Sequence, residues 1–505
     1  MPETTVHSKK RVVVIGAGPA GLTAAFELSK AGVPSVVLEK DSIVGGISRT
    51  VKYRDYHFDI GGHRFFTKVK AVQDMWQEVL QRDLLRRERL SRIYYSKKFF
   101  FYPLKPLNAL ANLGIVNAIL IVLSYIRAQL WPTKPELNVE QWISNRFGYR
   151  LYSIFFKSYT EKVWGIPCNE ISAEWAAQRI KGLSLGEAVK SALLRTQTKN
   201  GAVIKTLINA FHYPRKGPGM MWERVANIVR ESGGEILLNT DTVNILWDGH
   251  KVTGVRTHSQ SGTNVVKGTH FISSMPIREL IQRFDPPAPP EIVRAANSLK
   301  YRDFLTVALV VNQRNVFPDN WIYVHDPQVK LGRIQNFKNW SPEMVPDPNK
   351  TCLGLEYFCF EGDGLWSMPD QELIQLAKRE LETLGLAKMS DIEDGAVVRM
   401  PKAYPVYDPG YADALKTVRE FLDGLSNLQP VGRNGMHKYN NQDHSMLSAM
   451  LAAKNILGHN YDIWGVNVDQ EYHEETNVAK KTFDELTVAA TTQPLVPQRI
   501  KGIAR

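Results

Sequence analysis

Cysteine is scarce: Cys168, Cys352 and Cys359 are the only three in 505 residues. An odd number with no Cys-x-x-Cys pair excludes a disulfide framework and a thiolate metal site, and it suits a reducing compartment. No metal site is expected elsewhere. No secretory leader is expected, because Met1 to Lys10 is polar and has no apolar h-region, and the expected location is the cytoplasm, with the inner membrane surface as a variant. There is no internal repeat and no low-complexity segment. Basic runs interleaved with aromatics are absent too. Lys and Arg number 63 against 51 Asp and Glu, a formal charge of +12, yet nucleic acid is not the expected partner. That balance suits phosphates or a lipid surface instead.

Long apolar runs are nearly absent. Pro106 to Ile126 is 21 residues without a charge, close to a membrane-spanning length. Asn108, Asn112 and Asn117 interrupt it, which argues against a span. Leu107, Leu110, Leu113, Val116 and Leu120 fall on one helical face. The expected outcome is a buried helix or a homo-oligomer contact, with a peripheral membrane contact as the alternative. What remains is ordinary globular material: 44% hydrophobic and 23% charged, long enough for roughly three domains.

The first of these is legible from its opening. Arg11 to Ile15 is a β-branched run of the kind buried in parallel sheets. Gly16-Ala-Gly18-Pro-Ala-Gly21 follows, then a helical pattern from Leu22 to Lys30. A second strand pattern ends on Glu39, 18 residues beyond Gly21. In this strand–loop–helix–strand setting the glycines read as a dinucleotide site. Gly16 permits the tight turn, Gly18 lets backbone approach a pyrophosphate, and Gly21 allows close helix–strand packing. The helix N-terminus offers N–H groups to phosphates, and Glu39 would accept from ribose hydroxyls.

Gly45-Gly46-Ile-Ser-Arg49-Thr50 resembles the second flavin fingerprint of amine-oxidase-like flavoproteins, where Arg and Ser/Thr side chains meet the pyrophosphate. A late Gly432-Arg433 ahead of a helix resembles their flavin-facing segment. The resemblance implies FAD. The fold expected is α/β: a Rossmann-like FAD-binding domain with inserted helical and antiparallel-sheet substrate domains. Residues 1–90, 205–285 and 400–470 would form the FAD-binding domain. Residues 91–204 would be mainly helical, 286–399 an antiparallel substrate sheet, and 471–505 a C-terminal extension and tail.

Four further segments resemble the UDP-galactopyranose mutase family, particularly its eukaryotic type. They are Asp59-Ile-Gly61-Gly62-His63-Arg-Phe-Phe66; Tyr159 to Pro167 with Ala173 to Arg179; Trp321-Ile-Tyr323 with Gly332-Arg333; and Ala403-Tyr404-Pro405 with Gly432-Arg433 through Tyr439-Asn-Asn441 to His444. Arg89-Leu-Ser91 and Tyr102-Pro103 match more weakly. Where the family carries an aromatic and a Gln beside the uracil, this chain has Leu104 and Lys105.

The resemblance implies a nucleotide-sugar substrate whose ring is interconverted between pyranose and furanose, with reduced flavin N5 attacking the anomeric carbon. NAD(P)H is the reductant it suggests. Arg179 and Arg333 would hold the diphosphate, planar and always cationic. Tyr323, Tyr404, Tyr439 and Tyr102 would donate phenolic hydrogen bonds, Trp164 would face the sugar, and Asn441 would stand beside it. Gly61 and Gly62 would shape the flavin loop, with His63 near N5. Asn441-Gln-Asp-His equally reads as a helix N-cap. The competing reading is an amine-oxidase-like oxidoreductase acting on a lipid, amine or porphyrin-type substrate.

Overall fold

The computed structural model describes residues 10–102, 104, 106–173, 176, 210–407 and 410–466. Val12–Ile15 is at most 3% exposed, because strands flank it on both sides and helices cover both faces, the setting that favours an unbroken β-branched run. The strand order is 428–430, 270–273, 12–15, 35–38, 235–237, and every pairing is parallel. Helix Pro19–Lys30 packs on this sheet, against helix Gln442–Ile456 and helix Gly219–Glu231. A four-stranded sheet from residues 241–285 lies beyond.

The second large body is a seven-stranded sheet in the order 392–406, 300–311, 351–359, 333–336, 321–324, 91–95, 98–101. Its neighbours are antiparallel except 321–324 with 91–95. Alternation sorts its two faces. Leu305, Val307 and Leu309 meet Leu373, Ala377 and Leu381 of helix Asp370–Leu384. Ala308 turns the other way, into a cluster with Phe58, Trp321, Phe337 and Trp340.

Two expectations need correction here. Residues 91–101, expected within the mainly helical region 91–204, form a hairpin that extends the sheet. Ile93 and Phe100 face the helical cluster, and Tyr94 faces the sheet's other core, which is period-two behaviour. Residues 106–126 are not one buried helix. Gly114, at φ 81°, separates helix Pro106–Leu113 from helix Ile115–Leu130. Val116 and Leu120 are 72% and 44% exposed. The helix is instead turned with Asn117 and Ser124 inward, where Arg150 binds both. Among the described residues no helix is long and apolar enough to cross a membrane. The three thiols are buried and unpaired, and burial pushes each up to about 12.

Candidate active site

At the C-terminal edge of the parallel sheet the chain leaves Ile15 and turns through Gly16 at φ 98°. A Cβ on Gly21 would lie 1.8 Å from the Gly16 carbonyl oxygen, so no side chain fits there. Gly18 differs, because the nearest atom to a Cβ there is Gly46 Cα at 3.9 Å. In the other direction, a Cβ on Gly46 would come within 3.2 Å of Gly18 Cα. Gly45, at φ 102°, donates its N–H to the Ala17 carbonyl over 2.8 Å. Two bare backbone loops therefore stand against each other and wall a cleft of about 390 Å³. Gly432, at φ 82°, closes it beside Ala20.

Glu39 lines this cleft, but both of its oxygens already accept from backbone: Ala17 N–H at 2.7 Å and Asp41 N–H at 2.9 Å. It pins the glycine loop first, and only its remaining lone pairs face a ribose. Burial raises its pKa, against those two hydrogen bonds. Arg49 also lines the cleft and donates to Asp41 over 2.7 Å. Among the described residues its buried Nε has no partner, and neither do Asn434 Oδ1 and Gln442 Nε2, which line the same cleft. Buried polar atoms are rarely left unpaired. Together with the N-terminus of helix Pro19–Lys30 they make a donor and acceptor set that fits FAD.

A second cavity of about 250 Å³ adjoins the first, sharing Ile47, His63, Arg433 and Gln442 as lining. His63 stands in the loop that Gly61 turns at φ 91°. Its Nδ1 donates to the Gly61 carbonyl at 3.2 Å, leaving Nε2 as an acceptor. Burial, then the charges of Arg433 and Arg333, lower its pKa to about 4. The ring is neutral at pH 7.

Strand register assembles the far wall. Tyr323 lies opposite Arg333, and Arg333 opposite Glu356, so three residues form one rung across three strands. Arg333 Nε donates to Glu356, which is fully buried and also accepts from Gln335 over 2.7 Å. Burial opposes the charge on Arg333, but Glu356 together with Tyr159, Tyr404 and Tyr323 outweighs it and raises the pKa of the guanidinium. Arg433 donates to the Asn440 and Ala403 carbonyls at 2.7 and 2.9 Å. It lies 5.4 and 5.1 Å from the rings of Tyr404 and Tyr439, which stack at 5.5 Å. Burial, then Tyr439, raises the Tyr404 pKa. Arg64 is the third guanidinium in the lining.

The structure thus brings together Gly61, Gly62, His63, Tyr323, Arg333, Tyr404, Arg433, Tyr439 and Asn441 around one cavity. Trp164 is not in the lining and packs 6.4 Å from Tyr439. Tyr102 stands at the rim, 42% exposed, with its ring 5.2 Å from Tyr323. The Asn441 N–H donates to His444 Nδ1 at 3.3 Å, so this residue caps the helix as well as lining the cavity. Arg179 lies outside the described residues.

Sequence reasoning missed Arg64, Gln335, Glu356, Gln442 and Tyr159, whose ring is 5.5 Å from Tyr323. A single acid within the apolar strand Thr351–Cys359 was the available signal for Glu356.

Comparisons with known proteins agree with this architecture. The profile of the family described as flavin containing amine oxidoreductase matches residues 19–457. L-amino-acid oxidase from Crotalus adamanteus is 42% identical over 71 residues, 14% of either chain. The oxidase BjussuLAAO-I from Bothrops jararacussu is 23% identical over 62% of either chain. The chain therefore matches under two thirds of the length of these relatives. A reduced UDP-galactopyranose mutase structure superposes with a TM-score of 0.74 at 20% identity, covering 90% of this chain and 97% of that one. A redesigned putrescine oxidase gives 0.59 at 16% identity, covering 90% and 99%. At such identities the likeness shows the fold.

Proposed function

The chain belongs to the flavin-containing amine oxidoreductase family, and on that premise we propose that it acts on an anionic, diphosphate-bearing substrate in the manner of a nucleotide-sugar mutase. The observation that carries this reading is the lining of the 250 Å³ cavity by Arg64, Arg333 and Arg433. A cavity with three guanidiniums repels an ammonium and attracts phosphate oxygens. One acid, Asp443, shares the lining with the three guanidiniums and leaves them in excess, and Glu356 behind Arg333 is taken up by Arg333 and Gln335.

FAD in the adjoining cleft supplies, when reduced, a nucleophilic centre for the anomeric carbon. The protein's share is binding, orientation and charge. Arg333, held by Glu356, presents its remaining N–H groups to the leaving diphosphate, and Tyr323 of the same rung donates beside it. Arg433, fixed by two carbonyls, places a positive charge between the two cavities. His63 offers a neutral acceptor there. Arg179 completes the diphosphate site if its family role carries over, and NAD(P)H or another two-electron donor primes the cofactor.

The test is to incubate dithionite-reduced protein with UDP-, GDP- and dTDP-pyranoses and to look for furanose products. Turnover should need reduced cofactor and consume no electron acceptor. A second reading, oxidation of an anionic substrate, draws on the L-amino-acid oxidase relatives. It predicts activity from oxidised flavin, with two electrons leaving the substrate and one acceptor consumed per product. Stoichiometric acceptor consumption with no furanose would reject the mutase reading.

A further inference from the structure

Helix Ile115–Leu130 is built inside out. Eight aliphatic residues, Ile115, Val116, Ile119, Leu120, Val122, Leu123, Ile126 and Leu130, are from 44% to 80% exposed, with Arg127 and Gln129 exposed near its C-terminal end. At 100° per residue they span an arc of about 160°, which Arg127 interrupts in the last turn. Asn117 and Ser124 are turned toward the protein, on the side where Ile121 is buried. Asn117 accepts from Arg150 Nη2 at 2.7 Å, and Ser124 Oγ accepts from the Arg150 N–H at 3.1 Å. Gly148 lets backbone come close beneath, since a Cβ there would lie 2.7 Å from the Tyr125 nitrogen. The mount is specific, so the apolar face is held outward rather than left uncovered by loose packing. An exposed apolar surface of this size marks a contact.

Charge identifies the contact. No Asp or Glu occurs between Glu88 and Glu136, while the interval carries Arg89, Arg92, Lys97, Lys98, Lys105, Arg127 and Lys134. Lys97, Lys98, Arg127 and Lys134 are exposed. The acid that ends the interval, Glu136, is engaged by Arg146 at 2.8 Å. Trp131, 74% exposed, follows the helix, where an indole suits the headgroup level. An isologous contact between two copies would set these cations against their own counterparts, which disfavours a dimer. Sixteen residues extend about 24 Å, short of a span, so the helix lies along a surface.

We propose that this face docks the protein on an anionic bilayer, with the aliphatic arc in the acyl boundary and the flanking cations at the headgroups. Phe101 and Tyr102, which precede the two helices in the chain, are also exposed at 41% and 42%, and the Tyr102 ring is 5.2 Å from Tyr323 of the cavity. The inference is independent of which substrate the cavity takes.

The test is co-sedimentation of the full-length, flavin-loaded protein with phosphatidylcholine vesicles, with and without phosphatidylglycerol. Binding should rise with phosphatidylglycerol and weaken at high salt. Ile119→Gln with Leu123→Gln should lower the partition coefficient by about tenfold or more, with flavin content unchanged as the folding control. Arg127→Gln with Lys134→Gln should remove mainly the phosphatidylglycerol-dependent part. Three results would overturn the proposal. One is wild-type protein that stays in the supernatant. Another is equal partition of wild type and the aliphatic variant. The third is a wild-type dimer that the aliphatic variant converts to monomer.

Discussion

The two adjoining cavities are made differently. The cofactor cleft is walled by backbone: Gly16, Gly18, Gly46 and Gly432 contribute bare main chain from short loops at strand ends. The substrate cavity is walled by long side chains brought from distant strands, as in the Tyr323–Arg333–Glu356 rung. A backbone wall tolerates no added atom and should fail all at once. A side-chain wall distributes its work over several partners and should fail by degrees.

The hardest break is Gly18→Val. The only neighbour of a Cβ there is Gly46 Cα at 3.9 Å, so the new side chain projects into the cleft without disturbing the core. The purified variant should be colourless while melting near wild type. A yellow Gly18→Val protein would end the backbone-wall account.

Arg333→Ala should act by degrees. Losing a charge-assisted hydrogen bond costs about 1.5–3 kcal/mol, roughly one to two decades in affinity for UDP-sugars, with flavin retained. It should also lower the melting temperature, because Glu356 is left buried without its cation. Adding Glu356→Gln should recover stability but not affinity. Recovery of both by the double variant would remove Arg333 from the binding role.

Asp59 gives a pH test in the hairpin behind the cavity. It is 1% exposed, and burial raises its pKa from 3.8 to about 7 against hydrogen bonds from Tyr213 and Thr50. Between those values the folded state holds a proton that the unfolded state has lost. Stability therefore falls as pH rises from about 4 to 7, by a few kcal/mol at most. Asp59→Asn should lose this slope, so its melting temperature should climb relative to wild type across that window. Parallel curves would refute the assignment.

The smallest effect belongs to Tyr102→Phe. Its hydroxyl stands on a ring 42% exposed at the rim, where water competes, so affinity should change by less than about tenfold. A larger loss would move Tyr102 from rim to wall.

The same contrast explains what could be read from the chain. Gly16 to Glu39 is one contiguous unit whose conformation and role are local, so its residues named the sheet, the cleft and the cofactor class. His63, Arg333 and Tyr404 were legible only through family-like segments. Glu356 was not, because its partner Arg333, 23 residues away in the chain, is set by the register of two strands. The 91–101 hairpin was hidden among helices, since two short strands give weak periodicity. The 115–130 helix was read with the right composition and the wrong orientation, because Arg150, from another helix, decides which face turns inward.

Arg433 belongs to both chambers and is immobilised by two carbonyls. A fixed charge shared in this way makes the chambers thermodynamic partners. An anion in one screens the field felt in the other, so nucleotide occupancy should lower the flavin's midpoint potential. By reciprocity, the affinity for that nucleotide must differ between the oxidised and reduced enzyme by the factor the potential shift encodes. Potentials measured with and without UDP would read it directly, and identical values would mean that the guanidinium serves only one chamber. A difference would make reduction and occupancy two readouts of one guanidinium.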